Sequence, residues 1–160
     1  MRHVLTLPLF LLFAGVLPLA AALVSQYGFG YAPCHLCLLQ RYPYLVVILC
    51  GLWLWRFPKW RVQFLALAIA ALLTTAGMGL YHALVEAGIV EYAGGCVVKA
   101  GAGESLDALR AAIANAPLVS CDQPMLRVLG LSMAAWNAVT GLVLALLAAY
   151  VGTQQRKKSA

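Results

Sequence analysis

Charge is the scarcest component of this 160-residue chain: Asp, Glu, Lys and Arg make up only 10% of it, against about a quarter in an ordinary soluble domain. With 64% apolar residues and a mean hydropathy of +0.89, it has too little polar surface to clothe a water-soluble globule. The excess has to face lipid. Four crossings at about 20 apolar residues each consume roughly half the chain, which leaves no room for a soluble catalytic domain. Internal repeats and low-complexity segments are also missing. So are a second closely spaced cysteine pair and a CxxCH motif, which weighs against a structural zinc site and c-type haem.

Four long apolar stretches are present, about residues 5–24, 38–55, 62–85 and 134–151, each long enough for one helical crossing. The expected architecture is an all-α membrane protein, a four-transmembrane-helix bundle forming a single integral membrane domain over residues 1–160. Its connections are unequal: an uncharged segment to residue 37, the short RFPKWR of Arg56 to Arg61, and the long stretch 86–133.

Positive charge sets the expected orientation, because Lys and Arg near span ends stay in the cytoplasm. Arg2, Arg56, Lys59, Arg61, Arg156, Lys157 and Lys158 fall on one predicted side, so both termini are expected to be cytoplasmic. All five acids, Glu86, Glu91, Glu104, Asp107 and Asp122, fall on the other with Lys99, Arg110 and Arg127, while Arg41 sits just inside the second span. The net charge of +6 thus divides into about +7 inside and about −1 outside, a distribution that orients a membrane protein and excludes a nucleic-acid partner. Arg2 followed by an apolar run and small residues at Ala20 to Ala22 also fits a secretory signal peptide. The run is long for that, and retention is expected. Pro8 and Pro18 are expected to kink the first helix.

Within the outer loop, Leu106, Leu109 and Ile113 recur at helical spacing, which predicts a short helix lying on the membrane surface. Gly94, Gly95, Gly101 and Gly103 read as joints around it.

The five cysteines sort by depth. Cys34, Cys37, Cys96 and Cys121 fall in the predicted outer loops, 25–37 and 86–133, where an oxidising compartment would let disulfides persist. Cys50 lies 13 residues past Cys37, about 20 Å deeper along a helix, and reads as an inert buried hydrophobe. Cys34 and Cys37 form CHLC where the loop enters the second span, and Pro33 suits the first helical position. Both sulfurs would then occupy the first turn, where unpaired amides and the helix dipole favour a thiolate. Arg41 follows Cys37 by four residues, on the same helical face. A guanidinium there would stabilise a Cys37 thiolate and donate to an anionic ligand oxygen; its other reading is snorkelling to headgroups. A Cys96–Cys121 disulfide would constrain its loop by about 3.5 kcal/mol, and serves either as a staple or as a partner for thiol exchange with the CxxC pair.

CxxC followed four residues later by Arg (CHLCLLQR), the YH pair at Tyr81-His82, two later loop cysteines and GLSMAAWN at the fourth span together resemble the DsbB family of bacterial inner-membrane thiol oxidoreductases. The likeness covers nearly the whole chain. The CxxC precedes the loop cysteines, whereas vitamin K epoxide reductase relatives carry it late. The resemblance implies a quinone-dependent protein thiol oxidoreductase that reoxidises a periplasmic DsbA-like dithiol oxidase. It passes the electrons to ubiquinone or menaquinone and has its active cysteines on the periplasmic face of the inner membrane. It assigns the catalytic roles to Cys34, Cys37, Cys96 and Cys121: Cys96–Cys121 takes the partner's attack through a transient mixed disulfide at Cys96, and its dithiol reduces Cys34–Cys37. Cys37 then engages the quinone.

Arg41 and His82 are the candidate quinone-binding residues, as cation and proton donor; His82 reads equally as an interfacial hydrogen-bonding group. Gln40 and Tyr81 are candidate supports, Trp136 an interfacial anchor and Asn137 an interhelical bonding group. No metal is assigned. The other readings are a paralogue serving a dedicated client oxidase, a vitamin K epoxide reductase-like quinone reductase, or a four-helix scaffold or metal-binding adaptor with structural disulfides.

Overall fold

The first long helix, α1 (Arg2–Leu23), runs through both of its prolines and ends in one wide π turn over Val24–Gly28. These observations come from a computed structural model, which describes residues 2–92, 105, 121, 124 and 126–159. After a short extended segment come α2 (His35–Leu39) and α3 (Arg41–Arg56), parted only at Gln40. A single 3₁₀ turn at Pro58–Trp60 leads into α4 (Arg61–Glu86). The chain closes α4 with backbone bonds from Ala87 to Ala83 and from Gly88 to Val85, Gly88 taking the left-handed φ of +69° that such a terminus favours. A two-residue hairpin, β1 (Arg127–Val128) with β2 (Leu131–Ser132), precedes α5 (Met133–Ser159). Its turn residues Leu129 and Gly130 both have positive φ, the geometry of a tight hairpin. Ser132 Oγ then accepts from Ala135 N at 3.2 Å and starts α5.

Four helical segments are long and apolar enough to cross a membrane: Thr6–Gly28, His35–Arg56, Pro58–Glu86 and Met133–Arg156. They match the four stretches read from the sequence to within a few residues at each end, and the second begins three residues earlier than the expected 38. Cys37 therefore lies in the first turn of a span. The short surface helix around Leu106 to Ile113, and the glycine joints, lie outside the described residues.

Two seams organise the bundle. Helix α4 packs along α5 and α1 along α3, with α3 against α4 joining the pairs. Between apolar helices in lipid there is little hydrophobic drive, so close backbone approach has to hold the seams. A methyl group at Gly79 would lie 2.7 Å from Ala138 N, and one at Gly15 would lie 2.9 Å from Tyr44 O. The core between the seams holds Leu7, Leu11, Tyr44, Val47, Cys50, Leu72 and Ala148. Phe13, Leu17, Leu80 and Leu146 stay more than half exposed, as a lipid-facing surface requires. Gln155 bonds Thr6 across the ends of α5 and α1, gathering both termini at one end of the bundle. The CxxC pair stands at the other.

Candidate active site

Helix α2 places the first cysteine pair. Contrary to the expectation from Pro33, the N-cap is Cys34 itself, with extended backbone (φ −73°, ψ 170°) and its sulfur accepting from Cys37 N at 3.4 Å. The reason is the sulfur: it satisfies an amide that has no partner in the first helical turn, which Pro33 cannot do. The same geometry brings Cys34 Sγ to 3.3 Å from Cys37 Sγ, to which it donates. Through that bond first, and burial second, the Cys34 thiol is pushed up to about 12. Cys34 keeps its proton at neutral pH, and Cys37 is the sulfur with its electrons presented.

His82 reaches this pair from the last turns of α4. It is 2% exposed, with Nε2 3.5 Å from Cys34 Sγ and Nδ1 4.0 Å from Cys37 Sγ. A chain of side chains sets its tautomer. Tyr44 OH donates to Asn137 Oδ1 at 2.6 Å, so Asn137 presents its Nδ2 to Gln40 Oε1 at 2.5 Å. Gln40 thereby turns its Nε2 toward His82 Nδ1 at 3.0 Å. An amide nitrogen only donates, so Nδ1 accepts and the neutral ring carries its proton on Nε2. Thr75 Oγ1 accepts from Asn137 at 3.1 Å and donates to Gln40 O at 3.2 Å, tying α3, α4 and α5 together at this level. Each such bond contributes about 1 kcal/mol in a membrane bundle, and jointly they remove the freedom of the His82 ring.

Cys121 completes the sulfur cluster. It is 2% exposed and packs with Cys34, Leu36 and Val85; its Sγ, Cys34 Sγ and a His82 ring nitrogen all lie within 4.8 Å of one another. Cys34 thus stands between Cys121 and Cys37, an arrangement suited to passing a disulfide from one sulfur to the next. Cys96 lies outside the described residues. Cys50 is buried 2% exposed in the helix core.

A cavity of about 400 Å³ opens beside the cluster, walled by Leu17, Pro18, Ala22, Met133 and Trp136, with Cys34, Cys37, Gln40, Arg41, His82 and Glu86 at its polar side. Arg41 lines this cavity together with Cys37. Its Nη1 donates to Gln26 Oε1 at 2.7 Å, because the π turn after α1 brings Gln26 within reach. Its Nε is buried with no partner among the described residues. The structure accordingly brings Cys34, Cys37, Arg41, His82 and Cys121 to one place. Gln40 and Asn137 act as expected, Tyr81 is exposed, and Trp136 bonds Val128 O while lining the cavity.

Three further residues meet this site without a motif that singles them out. Glu86 approaches His82 Nε2 at 3.7 Å, one helical turn away, and the spacing in YHALVE was its signal. Tyr44 had none beyond its place in an apolar run. His35 Nδ1 meets Tyr92 OH at 2.7 Å, a pairing 57 residues apart that no local pattern announces.

A family model described as disulfide bond formation protein DsbB matches residues 5–151. An uncharacterized protein of Rickettsia prowazekii (strain Madrid E), RP370, is 29% identical over 140 residues, covering 86% of this chain and 81% of that protein. No solved structure matches. The helices, the cysteine order and this match over most of the sequence agree: the chain is a multi-pass membrane protein and belongs to the DsbB family of disulfide bond formation proteins.

Proposed function

We propose that this protein reoxidises a periplasmic DsbA-like dithiol oxidase and passes the electrons to membrane quinone. It does so as a single integral domain of a bacterial inner membrane with both termini in the cytoplasm. The observation that supports the reading is the continuity of the sulfurs: Cys121 Sγ lies within 4.8 Å of Cys34 Sγ, Cys34 Sγ lies 3.3 Å from Cys37 Sγ, and the CxxC pair lines the cavity.

The exchange balances at every bond. A partner thiolate attacks Cys96 of the Cys96–Cys121 disulfide, forming a mixed disulfide and releasing the Cys121 thiolate. Cys121 attacks Cys34 of the Cys34–Cys37 disulfide, and Cys37 leaves as a thiolate. The partner's second thiol then closes its own disulfide and frees Cys96, which closes on Cys121 and frees Cys34. Cys34 and Cys37 take up two protons, one given up by that second thiol and one from the medium, where the partner's attacking thiolate had left its own. The partner has lost two electrons and the Cys34–Cys37 pair has gained them.

The residues around the cavity fit a quinone. The unpartnered Nε–H of Arg41 suits a carbonyl oxygen and the apolar walls suit a ring and an isoprenoid tail. Bound there, a quinone supplies an acceptor for two electrons and two protons. Arg41 holds and polarises it, Cys37 presents its sulfur, and His82 manages protons, with Gln40 and Asn137 fixing the ring.

Purified protein in vesicles is expected to oxidise a thioredoxin-fold dithiol partner catalytically when quinone is included, with its own thiol count falling on quinone addition. Thiols that ignore quinone would identify a scaffold instead, and metal release on oxidation an adaptor. For Arg41→Ala, loss of one charge-assisted hydrogen bond, about 1.5–3 kcal/mol, raises the apparent KM for quinone at least tenfold. Exchange with the partner changes much less, and an unchanged KM removes Arg41 from the site.

A further inference from the structure

Two buried polar atoms among the described residues have no partner, Arg41 Nε and Glu86 Oε2, and both residues line the same cavity. The donor is answered by a carbonyl oxygen. The carboxylate is not, because a quinone oxygen accepts and cannot donate to it, and an ion left this way in a low-dielectric wall is costly. The Glu86 side chain is only 10% exposed. Its placement acquires a purpose if it carries a proton during turnover.

The imidazole beside it has the geometry of a conduit. At Nδ1 stands Cys37 Sγ, 4.0 Å away, together with the Gln40 amide; at Nε2 stands Glu86 Oε1, 3.7 Å away. Among the described residues, the other titratable or charged groups at this place are Cys34 and Cys121 of the sulfur cluster, with Arg41, Tyr31 and Tyr44 of the cavity wall. Arg41 is the cation that offsets a carboxylate here. Building on the thiol-to-quinone reading above, we propose that Glu86 is the proton-relay residue of this site: it takes the thiol proton of Cys37 through the His82 ring and holds it against the cavity until the acceptor is reduced.

The transfer balances. The S–H bond of Cys37 breaks and its proton joins Nδ1 as the Gln40 amide gives way. The Nε2–H bond breaks and that proton joins Glu86 Oε1. The ring stays neutral in its other tautomer, Cys37 becomes a thiolate, and no electrons have moved. The lone pair now exposed at Nε2 faces Cys34 Sγ at 3.5 Å. Cys34 was the thiol that held its proton, and Nε2 receives that proton as Cys34 closes the disulfide with Cys37. The electron pair leaves to the quinone, followed by two protons, one from Glu86 and one from the doubly protonated ring. His82 returns to its Nε2–H form under the Gln40 amide.

The test uses full-length protein in two states. In quinone-free protein, opening the Cys34–Cys37 disulfide with dithiothreitol is expected to produce a protonated-carboxyl C=O band in the reduced-minus-oxidised infrared difference spectrum. That band disappears in Glu86→Gln and shifts in Glu86→Asp. Absence of the band, or its survival in Glu86→Gln with the other acids intact, overturns the proposal. With quinone, Glu86→Gln lowers kcat by about a hundredfold while the quinone KM stays within about twofold, and Glu86→Asp recovers part of the loss. A raised KM with unchanged kcat would make Glu86 a binding group only. If the wild-type protein failed to reduce quinone, the proposed function would fall, and the infrared result would still decide the role of Glu86.

Discussion

Cys37→Ser is expected to cut quinone-dependent oxidation of a dithiol partner by about a thousandfold or more, measured as turnover in quinone-containing vesicles, while leaving a single stoichiometric round. Cys34 and Cys37 are not equivalent sulfurs. Both border the cavity, but Cys34 donates to Cys37 and is held protonated, pushed up to about 12, whereas Cys37 accepts that bond. A serine hydroxyl neither forms the disulfide that Cys121 must attack nor presents a sulfur to the acceptor. The outer pair is untouched and oxidises one equivalent of partner before the electrons stop. Turnover at the wild-type rate would reject the relay. Continued partner oxidation that ignored quinone would show electrons leaving by another route.

Cys121→Ser carries the second large effect, a similar loss of turnover accompanied by a trapped partner. With Cys121 gone, Cys96 is a lone thiol that forms a mixed disulfide by attacking the disulfide of oxidised partner and releasing one of its sulfurs as thiolate, and no neighbouring sulfur of this chain resolves it. Cys34 also loses the thiol that stands within 4.8 Å of it, so Cys34–Cys37 stays oxidised. Non-reducing electrophoresis is expected to show a dithiothreitol-sensitive adduct that disappears when Cys96 is also changed to serine. Mass spectrometry of that adduct identifies the client, separating a general dithiol oxidase from a dedicated one. Full turnover without an adduct would place Cys121 outside the reaction.

The degree to which this site could be read from the sequence followed the range of the interactions involved. CHLC with Arg41 four residues on is a local pattern, and the structure places its two cysteines and Arg41 at one cavity. Its partner is not local: Arg41 also reaches back to Gln26 because the π turn ending α1 sits beside it, a fact carried by residues 15 positions away. The Pro33 reading failed, since a sulfur that can cap a helix displaces a proline that can only tolerate its first turn. His82 was legible only by likeness. Its tautomer depends on Gln40, Asn137 and Tyr44, spread over 97 positions and joined by helix crossings.

Hydropathy and charge are properties of short windows, and for that reason the sequence by itself determined that the chain enters a membrane, where its helices run, and that the CHLC motif stands at a span end. It could not determine which sulfur neighbours which. That was decided by the two seams, where glycine lets backbones meet at Gly79 and Gly15. They bring α2, the end of α4 and Cys121 to one end of the bundle. Only there does a scarce acid at the end of α4, Glu86, become a neighbour of the histidine between two thiols and a cavity.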